Sequence, residues 1–373
     1  MTTHMPSRPS DLTPAFLTEL IAELYPGVGV EAADITAVRN YGEADRAKSV
    51  STSTQVSLLV RYREPVPPSL PTRLFAKMSI PDEVARPFPP LAPLYENEVT
   101  FYQRLRSQLN IEAPLAMGAR FQRATGHYVV LMGDLAARGF HVNSMADEPQ
   151  IAVVEALLDT YARLHASHWG SSRFQQDLSW VQSQVEGSME SLFDGLIRDH
   201  VVKELARERF KQEFVEETGA SEEELYLGEK ALKRHYATLP QTFLHGDAHF
   251  ANTYVLPDGT GGLLDFQVCA RGFAMMDIGY ILHSSLSVEA RRATERELLA
   301  FYRDRLGHYA ARDVPGPEKL WTEYRRSAVH SFYLGWLTAP RENYGWEICV
   351  LGNHRTKVAY QDLETRALVR QIL

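Results

Sequence analysis

Residues 244–277, LHGDAHFANTYVLPDGTGGLLDFQVCARGFAMMD, constrain the fold more than any other stretch of the chain. Asp247 and Asn252 are separated by four residues and lead into an apolar run, Thr253-Tyr254-Val255-Leu256. The Pro, Asp and Gly content of residues 257–262 marks a turn. A second apolar run, Leu263-Leu264, then ends on Asp265 and Phe266. This pattern predicts a polar loop followed by a β-hairpin that brings Asp247, Asn252 and Asp265 to one place.

Such a set suits one chemistry. Transfer of a γ-phosphoryl group requires oxygen ligands for the metal ions that bridge the phosphates, and a carboxylate that orients and deprotonates the attacking hydroxyl. Asn252 and Asp265 suit the metal, and Asp247 suits the hydroxyl. The spacing H-x-D-x-x-x-x-N followed by D-F is that of protein kinases, except that Gly246 stands where those enzymes carry arginine. With HGD in place of HRD the stretch resembles the aminoglycoside phosphotransferase and choline kinase superfamily. The triplet Asp265-Phe266-Gln267, with Asp277 following in a Met-Met-Asp context, resembles its ecdysteroid-kinase-like, CHK-type branch most. His245 and His249 read as loop-holding histidines, with a place for His249 beside a metal as the alternative.

Composition sets the outer limits. The chain has 373 residues and 45% apolar content, enough for a substantial core and two lobes. Two cysteines, Cys269 and Cys349, cannot build a disulfide framework, and no CxxC pattern suggests zinc. A reducing cytoplasm is the expected compartment. The N-terminus has no basic region followed by a long apolar stretch, and no run of about eighteen apolar residues exists, so neither secretion nor membrane insertion is expected. A net charge of −8 argues against nucleic acid as a partner. Residues 181–230 hold thirteen acids against six bases, so nearly all of the excess lies there.

Taken in order, residues 11–24 read as a short amphipathic helix, and residues 35–39, 54–62 and 72–80 as strands. Between the first two strands, residues 41–51 occupy the place of a phosphate-covering loop. That loop has one glycine rather than G-x-G-x-x-G, so backbone amides and the hydroxyls of Ser49 or Ser51 are the candidates, against a plain hairpin loop. Lys77 lies in an otherwise apolar strand, and the resemblance makes it the lysine that contacts the α- and β-phosphates. In the helix expected over residues 94–109, Glu98 falls on the same stripe as Leu94 and Tyr102 while Glu96 points away. A carboxylate on a buried stripe needs a partner, and Lys77 is the expected one. Residues 128–132 read as a strand ending at Gly133-Asp134; the resemblance makes Met132 to Asp134 the hinge whose backbone hydrogen-bonds adenine.

From residue 150 the chain turns helical. His165 reads as a core histidine, and residues 186–238 as a charged helical segment with a break at 219–221 and a capping box, Ser221-x-x-Glu224. Helices are expected over 278–286, 289–306, 318–337 and 346–373. Seven rings lie between Trp321 and Trp346 against only two acids, Glu323 and Glu342. Core packing explains most of them, and a few could wall a pocket.

The resemblance implies an α+β, bilobal, protein-kinase-like fold: a small antiparallel-sheet lobe, residues 1–134, and a larger mostly helical lobe, residues 135–373. ATP and Mg²⁺ would bind between them. Asp247 would be catalytic, Asn252 and Asp265 would hold the metal, and Lys77, Glu98, Ser49, Met132 and Asp134 would hold the nucleotide. The expected reaction is phosphorylation of a hydroxyl on a small molecule. A neutral or apolar alcohol, steroid-like or a natural product, is favoured over an aminoglycoside or choline/ethanolamine. A catalytically dead binding module is the alternative from another class.

Overall fold

The computed structural model describes residues 5–39, 53–79, 92–309 and 311–373. They form two compact units, one of the residues up to Leu109 with Ala113–Phe140, the other of Asn110–Glu112 with His141–Leu373.

In the first unit, helix α1 (Pro14–Ala22) starts at Thr13, whose hydroxyl accepts from the Phe16 amide, with Pro14 in the first turn. Its apolar stripe, Phe16, Leu17, Leu20 and Ile21, is buried. The stripe covers one face of an antiparallel sheet of β1 (Val30–Arg39), β2 (Thr54–Tyr62), β3 (Arg73–Met78), β4 (Ala116–Gln122) and β5 (His127–Gly133), in the order β1-β2-β3-β5-β4. Alternation along β3 decides what each face carries. Leu74, Ala76 and Met78 join α1 in the core, so Phe75 and Lys77 must point to the opposite face.

Strand β4 was not apparent in the sequence, because Ala-Met-Gly-Ala-Arg lacks an apolar–polar alternation. Gly118 explains part of that composition. A Cβ there would meet the Leu20 side chain and carbonyl at 2.7 Å, so the absence of a side chain is what lets α1 lie against the sheet. β1 also begins five residues before the expected 35, and helix α2 (Ala92–Arg104) gives way to a 3₁₀ turn at Arg106–Gln108 instead of running to 109.

The second unit is mostly helical. Strand β6 (His141–Val142) precedes α3 (Ile151–Ser167); then come α4 (Gly187–Leu192), α5 (Arg198–Arg207), α6 (Arg209–Glu217) and α7 (Glu222–Ala237), with a π-helical segment Phe193–Ile197 between α4 and α5. Four short strands follow: β7 (Thr242–Leu244), β8 (Thr253–Val255), β9 (Gly261–Leu263) and β10 (Ala270–Gly272). The chain finishes with α8 (Met275–Ser285), α9 (Val288–His308), α10 (Pro317–His330), a second π segment Ser331–Trp336, α11 (Arg341–Tyr344), α12 (Trp346–Asp362) and α13 (Thr365–Val369). All eleven residues of α8 are buried, so anything mounted on it is held from every side.

The acidic helices are cross-linked by charge. Glu204 receives Lys211 at 2.8 Å, and Lys211, itself without solvent exposure, also donates to the carbonyls of Leu337 and Ala339. Glu224 pairs with Arg366 and Arg370, Glu217 with Lys357, and Asp194 with Lys230. The expected capping box is half made: Ser221 accepts from the Glu224 amide, but the Glu224 carboxylate goes to the two C-terminal arginines.

Candidate active site

The loop after β7 is held from below by a carboxylate. Asp277, near the start of buried α8, accepts from the amides of His245 (2.7 Å) and Gly246 (3.0 Å) and contacts Nε2 of His165 at 3.2 Å. His165 Nδ1 in turn meets the Tyr302 hydroxyl at 2.7 Å. Burial would raise the Asp277 pKa, but the hydrogen bond and charge of His165 and the Gly246 amide outweigh it and hold the carboxyl below its ordinary range. His165 is therefore a core histidine that holds Asp277, far from solvent.

Gly246 explains the departure from HRD. Its φ is +86°, and a Cβ would lie 2.1 Å from the Val268 carbonyl oxygen. Backbone conformation and space both exclude a side chain, so an arginine there would push apart the two strands of the site, β7 and β10, which pair as Leu244 with Ala270 and Thr242 with Gly272.

His245 crosses the loop: its Nε2 donates to the Leu264 carbonyl at 2.6 Å, its Nδ1 accepts from the Asp247 amide at 3.3 Å, and its ring lies 4.7 Å from that of Phe266. The hairpin of β8 and β9 is tied to the loop by the Leu264 amide, which donates to the Asn252 carbonyl at 2.8 Å. The residue before Asp265 is thus bound to both His245 and Asn252. Asp265 itself has a φ of +63°, in the left-handed region that Asp tolerates better than most residues.

Asn252 closes the arrangement. Its amide nitrogen donates to the Asp247 carboxylate at 2.9 Å and to the Asp247 carbonyl at 3.0 Å. His249 Nε2 lies 3.5 Å from the same carboxylate, and its amide donates to the Asp247 carbonyl. The Asp247 side chain stays about 30% exposed. Burial acts to raise its pKa, while the charge and hydrogen bond of His249 and the Asn252 amide outweigh it, so the carboxylate is kept ionised below its ordinary range. Such a group can accept a proton or orient a hydroxyl.

An Asn oxygen and the Asp265 carboxylate fit magnesium, which takes one or two carboxylates and completes its shell with phosphate and water. No group of three or more His, Cys, Asp or Glu side chains that could hold a metal ion exists among the described residues, so a closed protein cage is not the arrangement found there.

In the first unit, Lys77 Nζ contacts Glu98 Oε1 at 2.8 Å, and both side chains are at least nine-tenths buried. The buried face of α2 also carries Tyr95, stacked on Tyr128 at 4.1 Å, whereas Glu96 pairs outside with Arg123. Met132 lies in β5 opposite Phe75, and the amides of Gly133 and Asp134 donate to Leu115 and Arg73. The Asp134 side chain caps the following 3₁₀ turn through the Ala136 amide. Ser49 and Ser51 lie outside the described residues.

Several site neighbours were not found by sequence reasoning. The Tyr344 hydroxyl is pushed upward in pKa by burial and then by the charges of Asp247, Cys349 and Asp265, and the Tyr280 hydroxyl by burial and then Asp247, which sets both rings in the field of the loop carboxylates. The other rings of the 321–346 stretch mostly pack the core: Tyr324, Phe332, Tyr333 and Trp336 are buried, and Trp346 is exposed. Nothing local in the sequence singles out Tyr280 or Tyr344.

Fold and site together define a kinase-like phosphotransferase. Choline kinase from Cryptosporidium parvum Iowa II shares the fold at a TM-score of 0.52 and 13% identity, over 95% of this chain and 96% of that one. An ethanolamine kinase from Plasmodium vivax does so at 0.50 and 12%, over 89% and 83%. No curated protein matches the sequence significantly. A model of the phosphotransferase enzyme family matches residues 77–323, well over half of the chain, and the protein belongs to that family. It is a small-molecule kinase, an enzyme that phosphorylates a hydroxyl.

Proposed function

We propose that the protein transfers the γ-phosphoryl group of ATP to a hydroxyl of an uncharged or largely apolar small molecule, in a reducing cytoplasm. The observation that carries this reading is the Asp247 carboxylate, ionised, part-exposed and fixed by Asn252 and His249. Asp247 orients the acceptor hydroxyl and takes its proton as the oxygen bonds to the γ-phosphorus, and ADP leaves with the electrons of the broken bridge bond. Asn252 and Asp265 would hold magnesium, which neutralises phosphate charge when bound. Lys77, kept in place by Glu98, serves the α- and β-phosphates, with Ser49, Met132 and the Asp134 backbone as further nucleotide contacts.

An uncharged acceptor is supported by the acidic helices. Glu204, Asp194, Glu217 and Glu224 are committed to bases of the same unit, so they are not convergent unpaired acids of the kind that a buried polycation demands. Aminoglycosides and choline or ethanolamine remain the comparison substrates. Both cysteines are free and buried, and among the described residues no helix is long and apolar enough to cross a membrane.

The test is ATP turnover with calorimetric nucleotide binding across a magnesium titration. Asp247→Asn should lower kcat about 10²–10⁴-fold, the range for loss of a general base, with nucleotide affinity retained. Asp265→Ala should lose the magnesium dependence of that affinity. Retained turnover in the first variant, or retained magnesium dependence in the second, would refute the assignment, and a wild type that binds but never turns over nucleotide would make it a binding module.

A further inference from the structure

The two groups that hold the catalytic carboxylate do not share it evenly. Asn252 Nδ2 at 2.9 Å and His249 Nε2 at 3.5 Å both approach Oδ2 of Asp247. A carboxylate gripped on one oxygen keeps the lone pairs of the other for its reaction.

Asn252 has a second hold, on the Asp247 carbonyl. The His249 ring has none. It is nine-tenths buried, and its Nδ1 lies out of reach of water with no hydrogen-bond partner among the described residues, so its one polar contact there is with Oδ2. A buried nitrogen left unpaired costs stability and calls for an explanation. Packing does not supply one, because a phenylalanine would fill much the same space without that cost.

What steadies the ring is Tyr280. The two rings meet edge to face, with centroids 6.1 Å apart and planes at 66°. Tyr280 belongs to buried α8, and its hydroxyl donates to the Gly335 carbonyl at 3.2 Å. The π segment Ser331–Trp336 makes that carbonyl available. In an α-helix it would take the Ala339 amide, which goes to Trp336 instead, and in a continued π-helix it would take the amide of residue 340, which is proline. Gly335 also makes room, since a Cβ there would lie 2.6 Å from the Tyr280 ring. π segments concentrate at functional sites. This one supplies the acceptor that fixes Tyr280; Tyr280 packs on His249, and His249 faces Asp247.

We propose that His249 is a positioning residue: its Nε2–H, steadied by Tyr280 and the Gly335 carbonyl, pins Oδ2 of Asp247 so that Oδ1 takes the proton of the acceptor hydroxyl as that oxygen bonds to the γ-phosphorus and ADP leaves. The proposal rests on the phosphotransferase reading above. A separation of 3.5 Å is long for a hydrogen bond, as catalytic contacts often are before substrate tightens them.

The assay is magnesium-dependent ATP hydrolysis, with water as the acceptor. His249→Phe keeps a ring for Tyr280 and removes the N–H, so kcat should fall about tenfold or more while the ATP KM moves less than about twofold. His249→Gln restores an N–H donor and should bring kcat back to within about threefold of wild type. Tyr280→Phe loses only the hydroxyl and should lower kcat about threefold; the double variant His249→Phe/Tyr280→Phe should be no slower than His249→Phe, because Tyr280 acts through His249. In a long-range proton–nitrogen spectrum of enzyme carrying isotopically labelled histidine, the His249 signals, identified by their loss in His249→Gln, should place a proton on Nε2. A bare Nε2, an unchanged kcat in His249→Phe, equal losses in the Phe and Gln variants, or additive losses in the double variant overturns the proposal. The reading beneath it fails in another way: wild type turns over no ATP, or Asp247→Asn hydrolyses it as fast as wild type, whatever the histidine spectrum shows.

Discussion

The catalytic loop and the helices α4 to α7 hold their charges in opposite ways. In the loop, Asp247 and Asp277 are satisfied mainly by groups within about thirty residues of chain: the His245 and Gly246 amides, Asn252 and His249. In the helices some partners are local, as Lys211 is to Glu204, but others come from far away in sequence. Glu224 is answered by Arg366 and Arg370, Glu217 by Lys357 and Glu229 by His330, all separated by more than a hundred residues. A cluster of acids says little about the local field until its distant partners are found. A loop that carries its own partners says a great deal.

The sharpest break between the two regions is expected at Asp277. Its removal in Asp277→Ala leaves two buried donors, on His245 and His165, and a part-buried one on Gly246 without an acceptor. At about 1–3 kcal/mol for each unsatisfied buried group, the loss should reach roughly 3 kcal/mol or more, and turnover should fall with it because Asp247 follows the displaced amides. Urea unfolding with parallel kinetics measures both. A cost no larger than that of removing Glu224 would erase the distinction drawn between loop and helices.

The same contrast accounts for what could be read in advance. Glu98 sits on an apolar stripe four residues from Leu94 and Tyr102, and a buried carboxylate next to a strand lysine follows from that spacing, so the geometry of the Lys77–Glu98 pair was legible. So were the order of Asp247, Asn252 and Asp265 around a hairpin and the core role of His165. Strand β4 was not, because Gly118 answers to Leu20, nearly a hundred residues away, and not to any alternation in its own strand. Tyr280, Tyr344 and His330 were not, because their positions depend on how α8, α10 and α11 pack. In the aromatic stretch at 321–346 core packing is expected to explain most of the rings, and the core does take most of them.

A second test lies on the helix side, at a group that is nevertheless buried. Glu229 is 2% exposed, and its carboxyl is held at about 2 against an ordinary 4.5: burial pushes upward, but the charges of His330 and Lys233 and their hydrogen bonds prevail. Its folded pKa is depressed, so its contribution is fully present above about 4.5 and is lost as pH falls through the window down to about 2. A shift of that size corresponds to about 3 kcal/mol. The stability difference between wild type and Glu229→Gln, followed by urea midpoint, should therefore shrink steadily over that window and stay constant from pH 5 to 7. A difference independent of pH would mean that Glu229 matters for packing only, and would place it with the exposed acids and not with Asp277.

The smallest effect is expected at Glu224, although two arginines meet it. It meets Arg366 at 2.7 Å and Arg370 at 2.8 Å and caps no helix with its side chain. Yet its side chain is 23% exposed, Arg366 35% and Arg370 56%, so water and salt screen all three and the long arginines must be ordered to make the contacts. The acid's depressed pKa, due first to the hydrogen bond from Arg366, measures how well the charges see each other and not what the network contributes to folding. Glu224→Gln keeps the shape and the Ser221 cap, which uses only the Glu224 amide, and should cost less than about 1 kcal/mol at low salt. Raising the salt from about 0.05 to 1 M should reduce even that difference, since the Debye length falls to about 3 Å. A cost of 2 kcal/mol or more that survives high salt would show that α7 and α13 are joined by a desolvated pair. The acidic helices would then hold charge as the catalytic loop does, with only the sequence distance between partners left to separate the two regions.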